Sequence, residues 1–211
     1  MMNAPIELKV RLTLTEEALG MMPASKEIYT QYIAANAPDA KTHEEEIEEN
    51  GIDEVVKQGT TVFPRLSNGV PFFWDYQIRG MFKDSMGMLR KVSHSASSSV
   101  TAYKKVVDGL IFIKERKIPI LHYGQEGVCQ RPLRTEGPTG SRTALASSET
   151  VPEGATIEFT IQLFDKKYEA AVREVLDYGV FRGIGQWRNS GKGRFTWEEL
   201  SYTTNDLHGK E

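Results

Sequence analysis

Two stretches of this chain alternate strictly between apolar and polar residues, and this pattern constrains the fold most strongly. In residues 6–15, IELKVRLTLT, every second side chain is apolar, and residues 155–163, ATIEFTIQL, repeat the pattern. Because side chains of a strand point alternately to opposite faces, both stretches are predicted to be half-buried strands. Their predicted core positions are Leu8, Val10, Leu12, Leu14, Ile157, Phe159, Ile161 and Leu163. Such strands are typical of an antiparallel sheet with helices on one face.

Two other stretches show the periodicity of amphipathic helices. In residues 75–92 the apolar positions recur at helical spacing, with basic residues distributed around them. Residues 165–179 are the second such stretch, and we expect Gly179 to end it, because glycine tolerates the backbone conformation that terminates helices. The apolar positions of the first helix are Ile78, Phe82, Met86 and Leu89.

The remaining segments complete a recognisable order of elements. Residues 103–121 hold two short apolar runs separated by KERK, which predicts either paired strands or one strand with a bent continuation. Residues 137–154 are rich in Gly, Ser, Thr and Pro and are predicted to form a loop. The stretch RFTWEEL, residues 194–200, is predicted to be a last strand. The order indicates an α+β fold with a ferredoxin-like β-α-β-β-α-β core.

A large acidic insertion is predicted after the first strand, at residues 21–70, within a single domain spanning residues 1–211. We expect a helix ending near Pro38, a second that breaks near Asn50-Gly51, and a turn with Asn68-Gly69 at its tip. The acidic run in this segment is interpreted as a solvated surface.

The charge is distributed unevenly along the chain. Residues 1–60 hold 5 basic and 12 acidic residues, a net of −7, whereas residues 61–194 hold 20 and 13, a net of +7. A weakly acidic protein with this distribution is compatible with a basic, nucleic-acid-binding face, and also with ordinary solvated charge. The single Cys129 excludes a disulfide framework. No stretch reaches the length of a membrane span, and we expect a cytoplasmic protein.

The segment GIGQWRNSGKGRF, residues 183–195, combines glycines with basic and amide side chains around one tryptophan. It is not a phosphate-binding P-loop, because five residues separate Gly185 from Gly191 and Gly193 follows Lys192. It is not a dinucleotide fingerprint either, because Arg188 occupies the position of the third glycine. The segment also follows a helix and precedes a strand, whereas both motifs need the reverse order.

Two interpretations of this segment remain. Its glycines allow close approach of a phosphate to a nest of backbone N–H groups, Arg188 suits bidentate phosphate contacts, and Trp187 suits stacking on a base. Alternatively, the segment is a glycine-rich bend with Trp187 inserted into the core. The loop residues predicted to contact RNA are Gly183, Gly185, Gln186, Trp187, Arg188, Asn189, Ser190, Lys192 and Arg194.

The helix–glycine loop–strand arrangement of residues 179–195 resembles the C-terminal glycine-rich loop of the RAMP superfamily, the ferredoxin-like RNA-binding proteins of CRISPR systems. YQIRGMFKDSMGML, residues 76–89, resembles the first helix of that superfamily. Residues 135–163, with Glu-x-Val-Pro-x-Gly, resemble the stretch before a core strand in the backbone subunits of CRISPR effector complexes. LKVRLTLTEEALG resembles their first strand and the following turn. The resemblance excludes residues 21–70.

The resemblance implies an antiviral-defence protein that binds crRNA, alone or with other effector subunits, and often polymerises along the RNA. It places Arg79, Gly80 and Lys83 near the RNA backbone at the start of a helix, with the glycine loop packed beside it. Arg79, Lys83 and Arg90 are therefore added to the predicted RNA-binding residues. A second role is compatible with the composition and the sequence pattern: that of a backbone-subunit mimic acting as an inhibitor or interaction module.

A metal-independent endoribonuclease of the repeat-processing type is the remaining alternative, since a histidine can act as general acid or base near neutral pH. The candidates are His43, His94, His122 and His208, and each is more often an ordinary histidine. Asp39 and Asp53 lie where one branch of the superfamily carries a catalytic Asp, but neither stands in a copy of that motif. No cluster has zinc-ligand spacing, and no metal, cofactor or catalytic residue is predicted.

Overall fold

A computed structural model describes residues 5–23, 60–137 and 140–204 of the chain. Its elements follow the alternating and helical patterns of the sequence closely in residues 6–14, 75–89 and 156–177. The strands in these ranges are β1 Ile6–Leu14, β2 Ala18–Leu19, β3 Met22–Pro23, β4 Thr60–Val62, β5 Phe72–Trp74, β6 Ile111–Ile113, β7 Lys117–Leu121, β8 Gly127–Gly137, β9 Gly140–Val151, β10 Thr156–Leu163 and β11 Phe195–Thr203. The α-helices are α1 Asp75–Leu89, α2 Tyr103–Gly109, α3 Glu169–Asp177 and α4 Gly179–Arg182.

The main sheet has the strand order β11-β1-β10-β7-β5, and β6 also pairs with β10. Every pair in it is antiparallel. The predicted α+β class with an antiparallel sheet is therefore confirmed. All eight apolar positions predicted from the alternation of β1 and β10 are buried in one core with side chains of α1 and α3. Burying a side chain of this size contributes roughly 1.5–3 kcal/mol relative to leaving it exposed.

The opposite face of the main sheet is polar, as the alternation predicts. Arg11 on β1 lies between Glu158 on β10 and Glu198 on β11, its two cross-strand neighbours. Its guanidinium donates to both carboxylates, at 2.6 Å and 2.8 Å. Opposite charges at directly paired positions favour this register, although water screens the pairs.

A second sheet has the order β2-β9-β4-β3, with β8 paired to β9. The prediction of a loop over residues 137–154 is wrong, because β9 and β8 form a long antiparallel hairpin there. The sequence misled because three of the buried positions of β9 are small and polar: Ser147, Ser148 and Thr150 are at most 4% exposed. A hydrogen bond of 2.8 Å between the hydroxyls of Thr61 and Ser148 satisfies one of these positions, so burial there needs no apolar side chain.

The segment 103–121 also differs from its prediction. Residues 103–109 form helix α2, with Val106 and Val107 buried against the core, rather than part of a strand. The two apolar runs that follow, β6 and β7, both pair with β10. The bent-strand interpretation is therefore the better of the two that the sequence left open. Tertiary burial outweighs the weak strand preference of the two valines.

Contrary to the prediction, the helical conformation does not end at Gly179. The chain continues as helix α4, which ends at Gly183, whose φ is +69°. Gly179 serves close packing instead. A Cβ atom built on it would lie 2.1 Å from the buried ring of Phe195 on β11. Glycine at this position therefore lets α4 approach the last strand.

Most of the predicted insertion, residues 24–59, lies outside the described residues, including both predicted helices. Its ends are described: β3 and β4 pair with each other, and β4 pairs with β9. The predicted turn at Asn68-Gly69 is confirmed, with a φ of +83° at Gly69. That residues 21–70 are peripheral stays a prediction. Within the described ranges, no helix is both long and apolar enough to cross a membrane.

Candidate nucleic-acid interface

The glycine segment is a compact loop in which two stretches of backbone cross. The N–H of Ile184 donates to the carbonyl of Gly193 at 2.8 Å, and the N–H of Gly193 donates to the carbonyl of Glu17 at 2.8 Å. A Cβ on Gly193 would lie 1.8 Å from the Ile184 carbonyl oxygen, and its φ is +70°. These contacts fix the loop to the turn after β1, so part of its glycine content serves geometry.

Several backbone N–H groups of the loop are already used within the protein. Besides Ile184 and Gly193, the N–H groups of Gly183, Ser190 and Gly191 each donate to a nearby carbonyl at 2.9–3.0 Å. These groups do not form the open nest of donors that the glycine content indicated. Any anion at this surface therefore depends chiefly on side chains.

The basic side chains of the loop are held in place by acidic partners. Arg188 donates to Asp84 of α1 at 2.8 Å, and Arg182 donates to the same carboxylate at 2.7 Å. Lys192 lies 2.6 Å from a carboxylate oxygen of Glu17. Asn189 accepts a hydrogen bond from Arg182 at 2.6 Å. Two guanidinium groups thus share one carboxylate, which leaves an excess of positive charge at this point.

The ion pairs of the loop shift the pKa values of Asp84 and Lys192. Burial by itself raises the pKa of the Asp84 carboxyl, but the hydrogen bond from Arg182 and the charge of Arg188 outweigh it and bring the pKa below its usual range. The hydrogen bond to Glu17 raises the pKa of the Lys192 ammonium. Both groups are therefore charged at neutral pH.

Replacing Asp84 by Asn should remove a part of the stability that depends on pH. A carboxyl whose pKa is lowered by folding stabilises the folded state above its unfolded pKa, about 3.9 for Asp, and this contribution disappears as the pH falls through the folded value. Urea unfolding of the wild type and Asp84→Asn at pH 7, 5 and 3 measures it. The wild type should be the more stable at pH 7, with the difference shrinking towards pH 3; a constant difference would contradict the charged pairing.

Trp187 is not inserted into the core, so the alternative of a simple core plug is wrong. Its side chain is 38% exposed, and its backbone has a φ of +53°. The guanidinium of Arg131 on β8 lies 4.8 Å from the indole centroid. Gln186 bridges the same region, since its amide donates to the Gly20 carbonyl at 2.7 Å. One face of the indole is thus occupied by Arg131.

Ser190 and Arg194 are exposed at the end of the loop. Ser190 closes the short 3-10 turn Arg188–Ser190, and the Arg194 guanidinium lies over Gly191, 3.2 Å from where a Cβ would stand. A Cβ atom built on Gly185 would likewise lie 3.2 Å from the carbonyl oxygen of Leu19. These predicted residues all lie on the loop surface or directly beneath it.

The loop packs beside α1 and meets the face of this helix that carries Gly80, but not the part that carries Arg79 and Lys83. Tyr76, Gly80 and Asp84 are four residues apart and share the face that contacts the loop. Arg79 and Lys83 lie about 100° around the helix from this face. Their partners are Asp75, at 3.1 Å, and Asp108 of α2, at 2.5 Å.

Arg90, the third predicted basic residue of this segment, follows the last turn of α1. Its guanidinium lies 5.1 Å from the ring centroid of Tyr103 on α2. An eleven-residue separation from Arg79 corresponds to about 16 Å along a helix, at about 1.5 Å per residue. The structure therefore does not gather Arg79, Lys83 and Arg90 with the loop cations in one cluster.

A groove of about 350 Å³ lies between α1, β3 and the glycine loop. Sequence reasoning did not assign it, because its walls come from three distant parts of the chain. A smaller depression of about 280 Å³ on the loop shares Gly185 and Arg188 with it. The groove is lined by Met21, Met22, Tyr76, Gln77, Gly80, Met81, Gly185 and Arg188.

A cluster of aromatic and basic side chains adjoins the groove at Tyr76. Trp74 and Tyr76 stack with centroids 6.2 Å apart and an interplanar angle of 15°. The Arg116 guanidinium lies 5.2 Å from the Trp74 centroid and 5.8 Å from that of Tyr76, and Lys117 lies 5.6 Å from Trp74. Pairing of β5 with β7 brings Trp74 opposite Lys117. The sequence stretches FWDY and KERK contain the aromatic and the basic residues of this cluster, but neither stretch indicates that the two come into contact.

The histidines do not form a catalytic cluster in the described residues. His122 contacts the Gly124 carbonyl at 2.8 Å and the Glu126 carboxylate at 3.2 Å through its two ring nitrogens. His94 lies in a turn with a φ of +63°. Among the described ranges, no group of three metal-ligating side chains is close enough to hold a metal ion. His43, His208, Asp39 and Asp53 lie outside those ranges.

No protein-family model and no curated protein matches the chain. Solved structures do match. A chain of the type III-B Cmr-beta complex bound to cognate target RNA aligns with a TM-score of 0.53 and 10% identity, over 95% of this chain and 60% of that one. A chain of a type IV-B CRISPR complex aligns with a TM-score of 0.46 and 11% identity, over 97% of this chain and 93% of that one.

The first of these likenesses shows the class of fold: this chain folds like part of a chain found in a CRISPR complex. This likeness of fold agrees with the resemblance that the sequence motifs indicated. The chain spans about 60% of the length of that type III-B relative.

Proposed function

We propose that this protein is an RNA-binding subunit of a CRISPR effector complex, and that it grips the phosphate backbone of a crRNA-like or other single-stranded RNA with its glycine loop. The observation that carries the proposal is a cluster of two guanidinium groups on the Asp84 carboxylate of α1, Arg182 at the end of α4 and Arg188 on the glycine loop, with Lys192 further along the same loop. The cluster stands in a fold shared with a chain of an RNA-bound complex. Arginine forks suit phosphate oxygens, and positive charge supplies most of the non-specific affinity for nucleic acids.

The core is proposed to be ferredoxin-like. Strand β1 precedes α1, β6 and β10 follow, and α3 leads into β11. The sheet order β11-β1-β10, with β6 on the far side of β10, places the fourth strand beside the first and the third between the first and second. This is the arrangement expected for a β-α-β-β-α-β core with both helices on one face.

The acidic partners of the loop cations support a grip rather than prevent it. Asp84 holds the guanidinium groups of Arg182 and Arg188 side by side, so little side-chain entropy remains to be lost on binding. Because two guanidinium groups share a single carboxylate, a phosphate can add to the pair without breaking it.

The partners proposed for the protein are RNA, other effector subunits, and further copies along the RNA.

The double substitution Arg188→Ala with Lys192→Ala should weaken single-stranded RNA binding several-fold. Each lost phosphate contact lowers the slope of log K against log salt by about 0.7 for single strands, so two contacts give roughly 1.4. Fluorescence anisotropy with a labelled oligonucleotide over a salt series measures both quantities.

The matched control is Lys9→Ala with Lys114→Ala, which removes the same charge from the polar face of the main sheet, where these residues pair with Glu158 and Glu7. This control should leave the slope almost unchanged. If both double variants lose affinity equally, binding depends on net charge alone and the glycine loop is not the RNA-binding surface. Unaltered binding of the loop variant would also reject the proposal.

A further inference from the structure

We infer that the groove between α1, β3 and the glycine loop receives one unstacked nucleobase of the bound single-stranded RNA. This inference rests on the proposed function, which it deepens by assigning a base-binding site beside the phosphate-binding loop. It is carried by the juxtaposition of an apolar groove that Arg188 lines with an adjoining aromatic cluster that carries Arg116 and Lys117.

The chemistry of the groove suits the two kinds of surface on a base. Its walls include the thioethers of Met21 and Met81 and the ring of Tyr76, which match the apolar faces of a planar ring. Polar groups stand at its edges: the Gln77 amide and the Arg188 guanidinium can bond the heteroatoms on the rim of a base. The volume, about 350 Å³, falls within the range of roughly 300–1,000 Å³ typical of small-ligand pockets.

Gly80 keeps the groove open. It lies within helix α1, where glycine is less favourable than almost any other residue, so local stability does not explain its presence. A Cβ built on Gly80 meets no atom of the described residues within 4 Å. A larger side chain at this position would therefore extend into the groove without displacing the part of the chain that the structure describes.

Tyr76 connects the groove to the aromatic and basic cluster. The ring is 48% exposed, and it is supported by the nearly parallel ring of Trp74. The guanidinium of Arg116 lies over both rings, and its side chain is also paired with Asp75. A tyrosine supported in this way offers a rigid surface on which a base can stack at little entropic cost.

Positive charge on both sides of the groove favours a nucleotide chain over an apolar partner. Arg188 lines the groove from the loop, Arg116 lies over the ring of Tyr76, and Lys117 lies over the neighbouring ring of Trp74. A polynucleotide carries a phosphate on either side of each base, so one strand can satisfy both ends and the groove together. An apolar protein side chain would fill the groove but would make no use of the positive charge beside it.

The test compares two RNA ligands of equal length and charge: oligoadenylate, and the same ribose-phosphate chain without bases. Wild-type protein should bind oligoadenylate about tenfold more tightly, because stacking adds to the shared phosphate contacts. Gly80→Leu should lose this preference while keeping its affinity for the abasic chain and its salt dependence. The control Gly109→Leu makes the same exchange at another helix position with open space around it in the described residues, and should keep the preference.

Two further variants guard against a folding defect. Tyr76→Ala should reduce the preference for oligoadenylate, and Tyr76→Phe should retain it, since the ring and not the hydroxyl provides the stacking surface. Equal wild-type affinity for both ligands would reject the groove as a base site while leaving the phosphate-binding function standing. Failure of the wild type to bind either ligand would reject the proposed function, and the groove with it. A preference that survives in folded Gly80→Leu would also overturn the inference.

Discussion

Gly193→Ala should destabilise the protein by about 3–5 kcal/mol, far more than an ordinary loop substitution. Two costs add at this position. The φ of +70° is unfavourable for a residue with a Cβ, by roughly 1–2 kcal/mol. In addition the Cβ would lie 1.8 Å from the Ile184 carbonyl oxygen, which belongs to the backbone and cannot rotate away. Relieving the overlap requires the crossing of the loop to open, with loss of the bond between the Ile184 N–H and the Gly193 carbonyl.

The matched control is Gly69→Ala, because Gly69 has a similar φ of +83° but its Cβ would meet no atom of the described residues within 4 Å. This variant should lose only the conformational part, about 1–2 kcal/mol. Urea unfolding of both proteins gives the comparison. Equal losses would mean that the crossing of residues 184 and 193 yields easily. RNA affinity should fall in Gly193→Ala but not in Gly69→Ala, since only the former reorients the loop cations.

Gly179→Ala should cost about 1–3 kcal/mol through overpacking, and the cost should depend on the residue at position 195. The added methyl group would lie 2.1 Å from the ring of Phe195, which is fully buried and has no room to move. In a Phe195→Leu background the ring is absent, so the same methyl group should fit at a much smaller cost.

A double-mutant cycle at these two positions isolates their contact. We expect a coupling free energy of about 1 kcal/mol or more, as found for residues that touch. Thermal or urea unfolding of the four proteins measures it, and the double variant should be more stable than the sum of the single losses. Additive losses would show that Gly179 is needed for some reason other than its approach to the ring.

These two glycines explain how the loop is placed for binding. Gly179 brings α4 against β11, and Gly193 lets the loop cross itself and bond to Glu17. The result is a rigid support from which Arg182, Arg188 and Lys192 extend. The backbone of the glycine segment therefore provides the geometry, and its side chains are proposed to provide the phosphate contacts.

The elements predicted correctly are those whose pattern is local. Alternation of apolar residues indicates the buried face of β1 and of β10, and helical spacing indicates that of α1 and of α3. Each of these elements buries one continuous stripe against the same core. The hairpin of β8 and β9 carries no such signal. The hydroxyl of its buried Ser148 shares a hydrogen bond with the hydroxyl of Thr61, on a strand almost ninety positions away. A pattern based on hydrophobicity cannot register that contact.

The same distinction applies to the candidate site. The sequence by itself determined the sheet, its two long helices, and a glycine loop rich in cations between the last helix and the last strand, since these depend on periodicity and residue type. Only the tertiary structure decided which cations act together, because Asp84 gathers Arg182 and Arg188 whereas Asp108 draws Lys83 to another face. The tertiary structure also decided where the groove forms, since Met21, Gly80 and Arg188 meet only when distant segments pack. No local sequence pattern encodes which side chains lie close together across the fold.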